Sequence, residues 1–274
     1  MTIAELKGKL SPHREQGLHD RMEDLLTSDV FGAMKYAGWQ YGFYRWLRSA
    51  EDPYDPARNA GEALPKPQDI RDIHFEFWPT LRSGNEPDLM LGIETTADRV
   101  TLMMIEVKYL SGPSDGSPPE EWVPDEDNSG DQLARQINGF PDRVAGCAVY
   151  DVANRVHIYL TRHDQCPVHC YDKAAQYLSR PDSVKMFWLS WFTLHPFLVA
   201  GLAEAQGGVR ALLFDLALLL ERKRLLPFNG FRGRSLSLFN RRGNFWQEGL
   251  WSGRLSRPLS ETGRFLNTKK GVRG

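Results

Sequence analysis

The sequence predicts an α/β protein with a mixed β-sheet core flanked by helices and a C-terminal helical and basic extension. Three observations support this class. Apolar residues recur at helical spacing after His19, segments typical of strands follow between 72 and 192, and helical periodicity returns after Leu194. The 274 residues suffice for one large domain or for one domain with an appendage. We therefore divide the chain into an N-terminal lead-in (1–18), a core (19–192) with an acidic insertion (111–130), and the extension (193–274).

Composition and net charge are those of an ordinary globular protein. Hydrophobic residues make up 41% and charged residues 25%, and the net charge of −1 carries no global nucleic-acid signature. Three cysteines give no disulfide framework, which favours reduced thiols in a cytoplasm. The first residues lack the apolar core of a signal peptide, and the longest apolar run (211–220) is interrupted by Asp215. We expect a cytoplasmic protein with no membrane partner.

The first helical segment extends from about His19 to Arg48. Ser28 and Asp29 are of the type that caps helices, and they predict that a second helix begins there. Glu23 lies near the start of the first helix. The proline-containing stretch from 49 to 70 indicates a loop.

Strands are predicted from the alternation and length of the apolar segments. Apolar and polar residues alternate from Asp72 to Pro79, which predicts a strand. Pro79 indicates that this strand ends there or lies at a sheet edge. Two apolar runs separated by a short polar turn are typical of a β-hairpin. The second run is apolar on both faces at Met103–Ile105, which indicates a central strand. The hairpin and two later segments complete the set of predicted strands: 88–94, 100–110, 155–161 and 186–192.

Charged residues interrupt the apolar hairpin, and three of them are candidates for a site: Asp88, Glu106 and Lys108. Glu106 and Lys108 are two residues apart, so both point to the same face of a strand. Asp88 opens the partner strand, where it can face Glu106. Burying such groups is costly without partners, and paired carboxylates match the oxygen ligands that Mg²⁺ prefers. The carbonyl of Val107 is a further candidate ligand, and Lys108 is a candidate for orienting water or stabilising charge on a phosphate.

The order Pro87-Asp88 followed by Glu106-Val107-Lys108 resembles the PD-(D/E)xK nuclease superfamily, which has the restriction-endonuclease-like fold. The resemblance covers residues 19–161, as helix, three strands, helix and strand. It implies a Mg²⁺-dependent nuclease, with Mn²⁺ as a substitute, that hydrolyses phosphodiester bonds in DNA. Nucleases of this kind act in bacterial restriction, repair and antiphage defence. The resemblance therefore also implies that the chain either works with a protein partner or forms a homo-oligomer.

The resemblance further implies roles for two residues outside the hairpin. Glu23 would point towards the metal site from the first helix, and Gln132 would support the site from the helix predicted over 129–138. A solvated helix charge and an ordinary polar helix face are the respective alternatives. For the hairpin itself, the alternative is an exposed face with a Glu–Lys pair.

Two other functions remain open. The chain could be a catalytically idle member of the fold that binds nucleic acid or another protein. It could instead be an RNA nuclease, because no residue pattern excludes a substrate that carries a 2′-OH group.

Charge is distributed unevenly along the chain. From Glu221 to the end there are thirteen basic residues against three acids, whereas seven acids and no base lie between Asp115 and Asp131. We expect the acidic insertion to be mobile and the basic segment to bind phosphates. A small appendage with solvated arginines is the alternative for the basic segment. The candidate nucleic-acid-binding residues are Arg232, Arg234, Arg241, Arg242 and Arg254.

One short segment offers four ligand types that zinc accepts: His163, Cys166, His169 and Cys170. Their spacing lacks the paired form of known zinc motifs, so a loop that leaves a strand is the competing interpretation.

Overall fold

The computed structural model describes residues 18–81, 84–109, 132–142, 144–148 and 151–227. All described residues belong to one compact unit. Several predictions fall outside the described residues: the lead-in, the acidic insertion, and the arginines Arg232, Arg234, Arg241, Arg242 and Arg254.

The described residues form an α/β fold around one five-stranded mixed sheet. The strands lie side by side in the sheet in the same order as they occur in the sequence. The first three pair antiparallel, and the last three pair parallel. The strands are β1 (Ile70–Phe77), β2 (Leu89–Thr95), β3 (Val100–Lys108), β4 (Val152–Thr161) and β5 (Lys185–Ser190).

Two expectations about the sheet are confirmed. Strand β3 is central, and all of its residues except Lys108 are buried, as expected for a run that is apolar on both faces. Strand β1 lies at an edge of the described sheet and ends at Phe77, two residues before Pro79.

Helices flank this sheet. Each parallel strand pair is connected through a crossover that contains a helix, α3 between β3 and β4 and α4 between β4 and β5. No helix in the described part of the chain has the length and apolarity needed to cross a membrane. The described α-helices are α1 (Leu18–Ala37), α2 (Phe43–Arg48), α3 (Gln132–Asn138), α4 (Val168–Ala175), α5 (Leu194–Glu204) and α6 (Gly207–Arg222).

The expected helix start at Ser28 is wrong, because α1 continues through it without a break. Thr27 and Ser28 are buried in the helix, so tertiary packing overrides their preference for capping positions. The helix instead ends at Ala37, and Gly38 follows it with a positive φ of 102° and an N–H that bonds the Met34 carbonyl at 3.0 Å.

Helices α5 and α6 pack within the same compact unit as the sheet, although the sequence suggested that they belong to an extension. Helix α6 packs on α1, and α5 packs on α2. Gly201 in α5 allows this close approach, since a Cβ there would lie 2.2 Å from the Tyr41 carbonyl oxygen. The aromatic rings of Phe31, Trp46 and Trp191 join α1 and α2 to the end of β5, with centroids 5.9–6.3 Å apart.

Candidate active site

Strand register brings Asp88 and Glu106 to the same face of the sheet. Leu89 pairs with Ile105, so the next residue on each strand, Asp88 and Glu106, lies opposite the other. Only 8% of Asp88 and 2% of Glu106 are exposed. The arrangement therefore places two nearly buried carboxylates next to each other.

Asp88 is held by two N–H donors. Its Oδ2 accepts from the Val107 backbone N–H at 2.8 Å, and its Oδ1 accepts from Trp78 Nε1 at 3.2 Å. Burial, followed by the negative charge of Glu106, raises the pKa of Asp88 well above its ordinary value. Lys108 and the Val107 hydrogen bond oppose this shift without cancelling it. The positive charge of Lys108 is thus too weak at Asp88 to offset the effects of burial and of the neighbouring carboxylate.

Glu106 is held by a lysine and two glutamines. Its Oε1 accepts from Lys108 Nζ and from Gln132 Nε2, both at 2.7 Å. Its Oε2 accepts from Gln136 Nε2 at 2.5 Å. Gln132 and Gln136 lie one turn apart on α3, which covers this face of the sheet. These donors fix the orientation of the carboxylate.

Lys108 also approaches Glu23 of α1. Its Nζ lies 3.5 Å from Glu23 Oε1, and the other oxygen of Glu23 accepts from the Tyr109 N–H at 2.6 Å. Burial opposes the charge on Lys108, but the carboxylates of Glu106, Glu23 and Asp88 outweigh burial and raise the pKa of Lys108. Burial also raises the pKa of Glu23, against the opposing effect of Lys108. Lys108 is therefore a cation and a hydrogen-bond donor.

The cluster contains all five side chains that the sequence suggested for catalysis: Asp88, Glu106, Lys108, Glu23 and Gln132. Val107, the remaining candidate ligand, directs its N–H to Asp88. The N–H and C=O of one strand residue point to the same side, so its carbonyl is directed to that side too. The candidate arginines of the basic segment lie outside the described residues.

The structure adds a second layer that the sequence did not identify. His157 of β4 is fully buried, and its Nε2 lies 3.4 Å from Gln136 Oε1. Burial lowers the pKa of His157 to about 4, so its ring is neutral near pH 7. Tyr159 pairs with Glu106 in the β3–β4 ladder, and burial raises the pKa of its hydroxyl. No local sequence pattern marked His157 or Tyr159 as members of this layer.

Two cations lie beside the cluster on the ring of Tyr109. Lys223 Nζ is 5.2 Å and Arg162 Cζ is 5.7 Å from the ring centroid. Burial lowers the pKa of Lys223, with Asp29 partly opposing the shift. Arg162 follows β4 and Lys223 follows α6, and no local sequence pattern could have predicted that they share one ring.

The donor set fits a hard divalent cation. Asp88, Glu106 and Glu23 are three carboxylates around one ammonium, so in their ionised forms they carry excess negative charge. Mg²⁺ prefers one or two carboxylates together with water and phosphate oxygens. Asp88, Glu106 and the Val107 carbonyl would supply oxygen ligands of this kind.

No family model, curated protein or solved structure matches this chain. The functional inference therefore depends on the geometry and chemistry of the cluster, together with the sequence motif.

Proposed function

We propose that this chain is a Mg²⁺-dependent nuclease of the PD-(D/E)xK type that hydrolyses phosphodiester bonds in DNA. The observation that carries the proposal is the pair of buried carboxylates, Asp88 and Glu106, facing each other on adjacent strands beside Lys108. The order of elements supports it, because α1, the three antiparallel strands, α3 and β4 follow the order implied by the restriction-endonuclease-like fold.

The residues of the cluster divide the chemical tasks among them. Asp88, Glu106 and the Val107 carbonyl would hold Mg²⁺, which supplies an acidified water and a polarised phosphoryl oxygen when bound. Lys108 remains protonated and stabilises the negative charge that develops on the phosphate. Gln132 and Gln136 keep the Glu106 carboxylate in place during this charge rearrangement.

The contacts of Glu106 favour one alternative, a catalytically idle nucleic-acid-binding protein. Lys108, Gln132 and Gln136 already donate to its oxygens. A carboxylate offers about four lone-pair sites, so these three donors leave only one site on Glu106 for a metal ion, which is why the idle protein is an alternative. Stable DNA binding without cleavage would favour the idle protein.

Cleavage assays distinguish these functions. Supercoiled plasmid DNA and a matched single-stranded RNA are incubated with the full chain in Mg²⁺ and, separately, in chelator. We expect DNA cleavage that requires Mg²⁺ and is lost in Asp88→Asn and Glu106→Gln. Glu204→Gln, which alters an exposed carboxylate on α5, is the matched control and should cleave like the wild type.

Cleavage of RNA alone would replace the DNA assignment with the RNA nuclease. Unchanged cleavage by both site variants, or cleavage that persists in chelator, would contradict the proposed mechanism.

A further inference from the structure

A second cluster of ligand-type side chains lies on the same sheet face, at the opposite end of strand β2 from Asp88. Glu94 is six residues beyond Asp88 on this strand, so the two side chains share a face. His74 comes from β1, and Cys147 comes from the 144–148 segment that follows α3. Apolar side chains separate the two clusters: Met90, Leu102, Met104 and Val144.

The three ligand atoms lie within 4.8 Å of one another. His74 Nε2 is 3.3 Å and Cys147 Sγ is 3.2 Å from Glu94 Oε1. In a tetrahedral zinc site with bonds of about 2.0–2.3 Å, neighbouring ligand atoms are about 3.3–3.6 Å apart. These two separations are therefore close to those that zinc requires.

The backbone around the cluster is arranged for close approach. His74 pairs with Gly92 in the β1–β2 ladder. A Cβ on Gly92 would lie 3.2 Å from Cys147 Sγ, so a larger residue there would crowd the thiol. Two hydrogen bonds from backbone N–H groups to carboxylates fasten the 144–148 segment to the hairpin. Ala145 donates to Glu76 Oε2 at 2.9 Å, and Ala148 donates to Glu94 Oε1 at 2.7 Å.

The hydrogen bonds leave one ligand atom unsatisfied. His74 Nε2 is buried and forms no hydrogen bond with any described residue, although Glu94 Oε1 is near. A buried polar atom without a partner is destabilising, and a metal ion would satisfy it. Arg71 holds the other oxygen of Glu94 at 2.9 Å, while Oε1 accepts from the Ala148 N–H at 2.7 Å and faces His74 and Cys147. The thiol of Cys147 donates its proton to that oxygen.

We propose that His74, Glu94 and Cys147 bind a zinc ion. A thiolate, an imidazole and a carboxylate suit zinc, whereas Mg²⁺ prefers oxygen ligands alone. On binding, the Cys147 S–H bond breaks, its proton passes to solvent, and the thiolate coordinates the ion. Asp72 Oδ2, which lies 3.8 Å from His74 Nε2, or a water molecule completes the coordination.

Zinc at this position fastens the 144–148 segment to the β1–β2 hairpin. The segment follows α3, whose two glutamines hold Glu106, so the ion has a structural role at the far end of the same face. The site is independent of the proposed nuclease activity.

The four-residue group His163, Cys166, His169 and Cys170 was the zinc candidate in the sequence. His163 Nδ1 lies 3.1 Å from Thr161 Oγ1, and Cys170 Sγ lies 3.4 Å from His169 Nε2. Among the described residues, only the trio of His74, Glu94 and Cys147 gathers three ligand atoms at one point. His169 and Cys170 lie in α4, whereas the competing interpretation placed them in a loop.

Cobalt titration tests the proposal with a readout that does not involve catalysis. The full chain is stripped of metal with a chelator and titrated with Co²⁺, and the thiolate-to-cobalt charge-transfer band is recorded. We expect a single equivalent of Co²⁺ to produce the band and Zn²⁺ to abolish it by displacement. The band should be lost in Cys147→Ser and in His74→Gln.

Cys166→Ser and Cys170→Ser are matched controls that should retain the band, and circular dichroism checks that every variant is folded. If Cys147→Ser does not fold, His74→Gln and the wild type still decide the result. Absence of the band in the wild type, its persistence in either site variant, or its loss in either control would overturn the proposal.

Discussion

Lys108 Nζ lies 2.7 Å from Oε1 of Glu106, a carboxylate that is almost completely buried in the candidate active site. The same ammonium lies 3.5 Å from Glu23, so it joins strand β3 to helix α1. Because only 23% of the Lys108 side chain is exposed, water screens these contacts weakly. The Lys108 ammonium thus partly neutralises several carboxylates, and a divalent ion could neutralise their remaining negative charge.

Removing this ammonium should destabilise the fold. In Lys108→Met the carboxylates of Glu23, Glu106 and Asp88 lose their shared cation, and we expect the free energy of unfolding to fall by about 2–4 kcal/mol at neutral pH. Urea unfolding measures the change. Lys66→Met, at an exposed loop position, is the control and should be nearly neutral. Equal stability of the two variants would show that the lysine does not offset buried negative charge.

Asp88 should lower the free energy of unfolding as pH rises, which is opposite to the usual effect of a carboxylate. Its pKa is raised in the folded state from the ordinary value of 3.8, so the folded protein binds this proton more tightly than the unfolded chain does. Its contribution is fully present below pH 3.8 and is lost as pH rises through the folded-state pKa. Within that window the slope is up to about 1.4 kcal/mol per pH unit.

Asp88→Asn cannot titrate, so it should lack this decline of stability with rising pH. Urea unfolding of the wild type and the variant at a series of pH values from 4 to 8 gives the difference in slope. Identical slopes would mean that the pKa of Asp88 is not raised. Glu204→Gln controls for the loss of an exposed carboxylate.

The two glutamines on α3 should differ in their contribution to stability. Gln136 is 1% exposed and contacts both Glu106 and His157, whereas Gln132 is exposed. Gln136→Leu leaves a buried carboxylate oxygen without its donor, which should cost about 1–3 kcal/mol. In Gln132→Leu water can replace the lost amide, so we expect less than half of that loss. Comparable losses in urea unfolding would contradict the assigned geometry.

The sequence predicted the central pair of carboxylates because strand alternation and hairpin register are local properties. Glu106 and Lys108 share a face by simple alternation, and the 95–99 turn sets the register that brings Asp88 opposite Glu106. The motif and the hairpin therefore contained the essential geometry of the candidate site.

The remaining contacts depend on tertiary packing, which no local pattern encodes. His157 reaches Gln136 only because α3 lies over β4, and Cys147 reaches His74 only because the 144–148 segment folds back onto the hairpin. Ser28 gave a misleading cap signal for the same reason, since packing on α1 buries it within a continuous helix.

Lys223 and Arg162 should bind the backbone of the proposed DNA substrate. Both cations lie on Tyr109, next to the cluster. We expect a phosphate adjoining the scissile one to pass there. Replacing both by Gln should flatten the log–log salt dependence of DNA binding by up to about 1.8, if each neutralises one phosphate. Fluorescence anisotropy in Asp88→Asn, which is expected not to cleave, gives the slope. An unchanged slope relative to Lys66→Gln would exclude this DNA path.

The basic segment is tested in the same assay. Arg241→Ala combined with Arg242→Ala should also flatten the slope if those arginines bind phosphates, and a slope equal to that of the parent would favour solvated arginines.

Anomalous diffraction from crystals soaked in Mn²⁺ tests the central claim most directly. Mn²⁺ is the expected substitute for Mg²⁺, and it scatters anomalously where Mg²⁺ does not. We predict a peak at about 2.0–2.6 Å from one carboxylate oxygen of Asp88 and one of Glu106. The Val107 carbonyl should lie in the same coordination shell, and Asp88→Asn crystals should lose the peak. A wild-type map with no peak between Asp88 and Glu106 would contradict the metal-dependent mechanism.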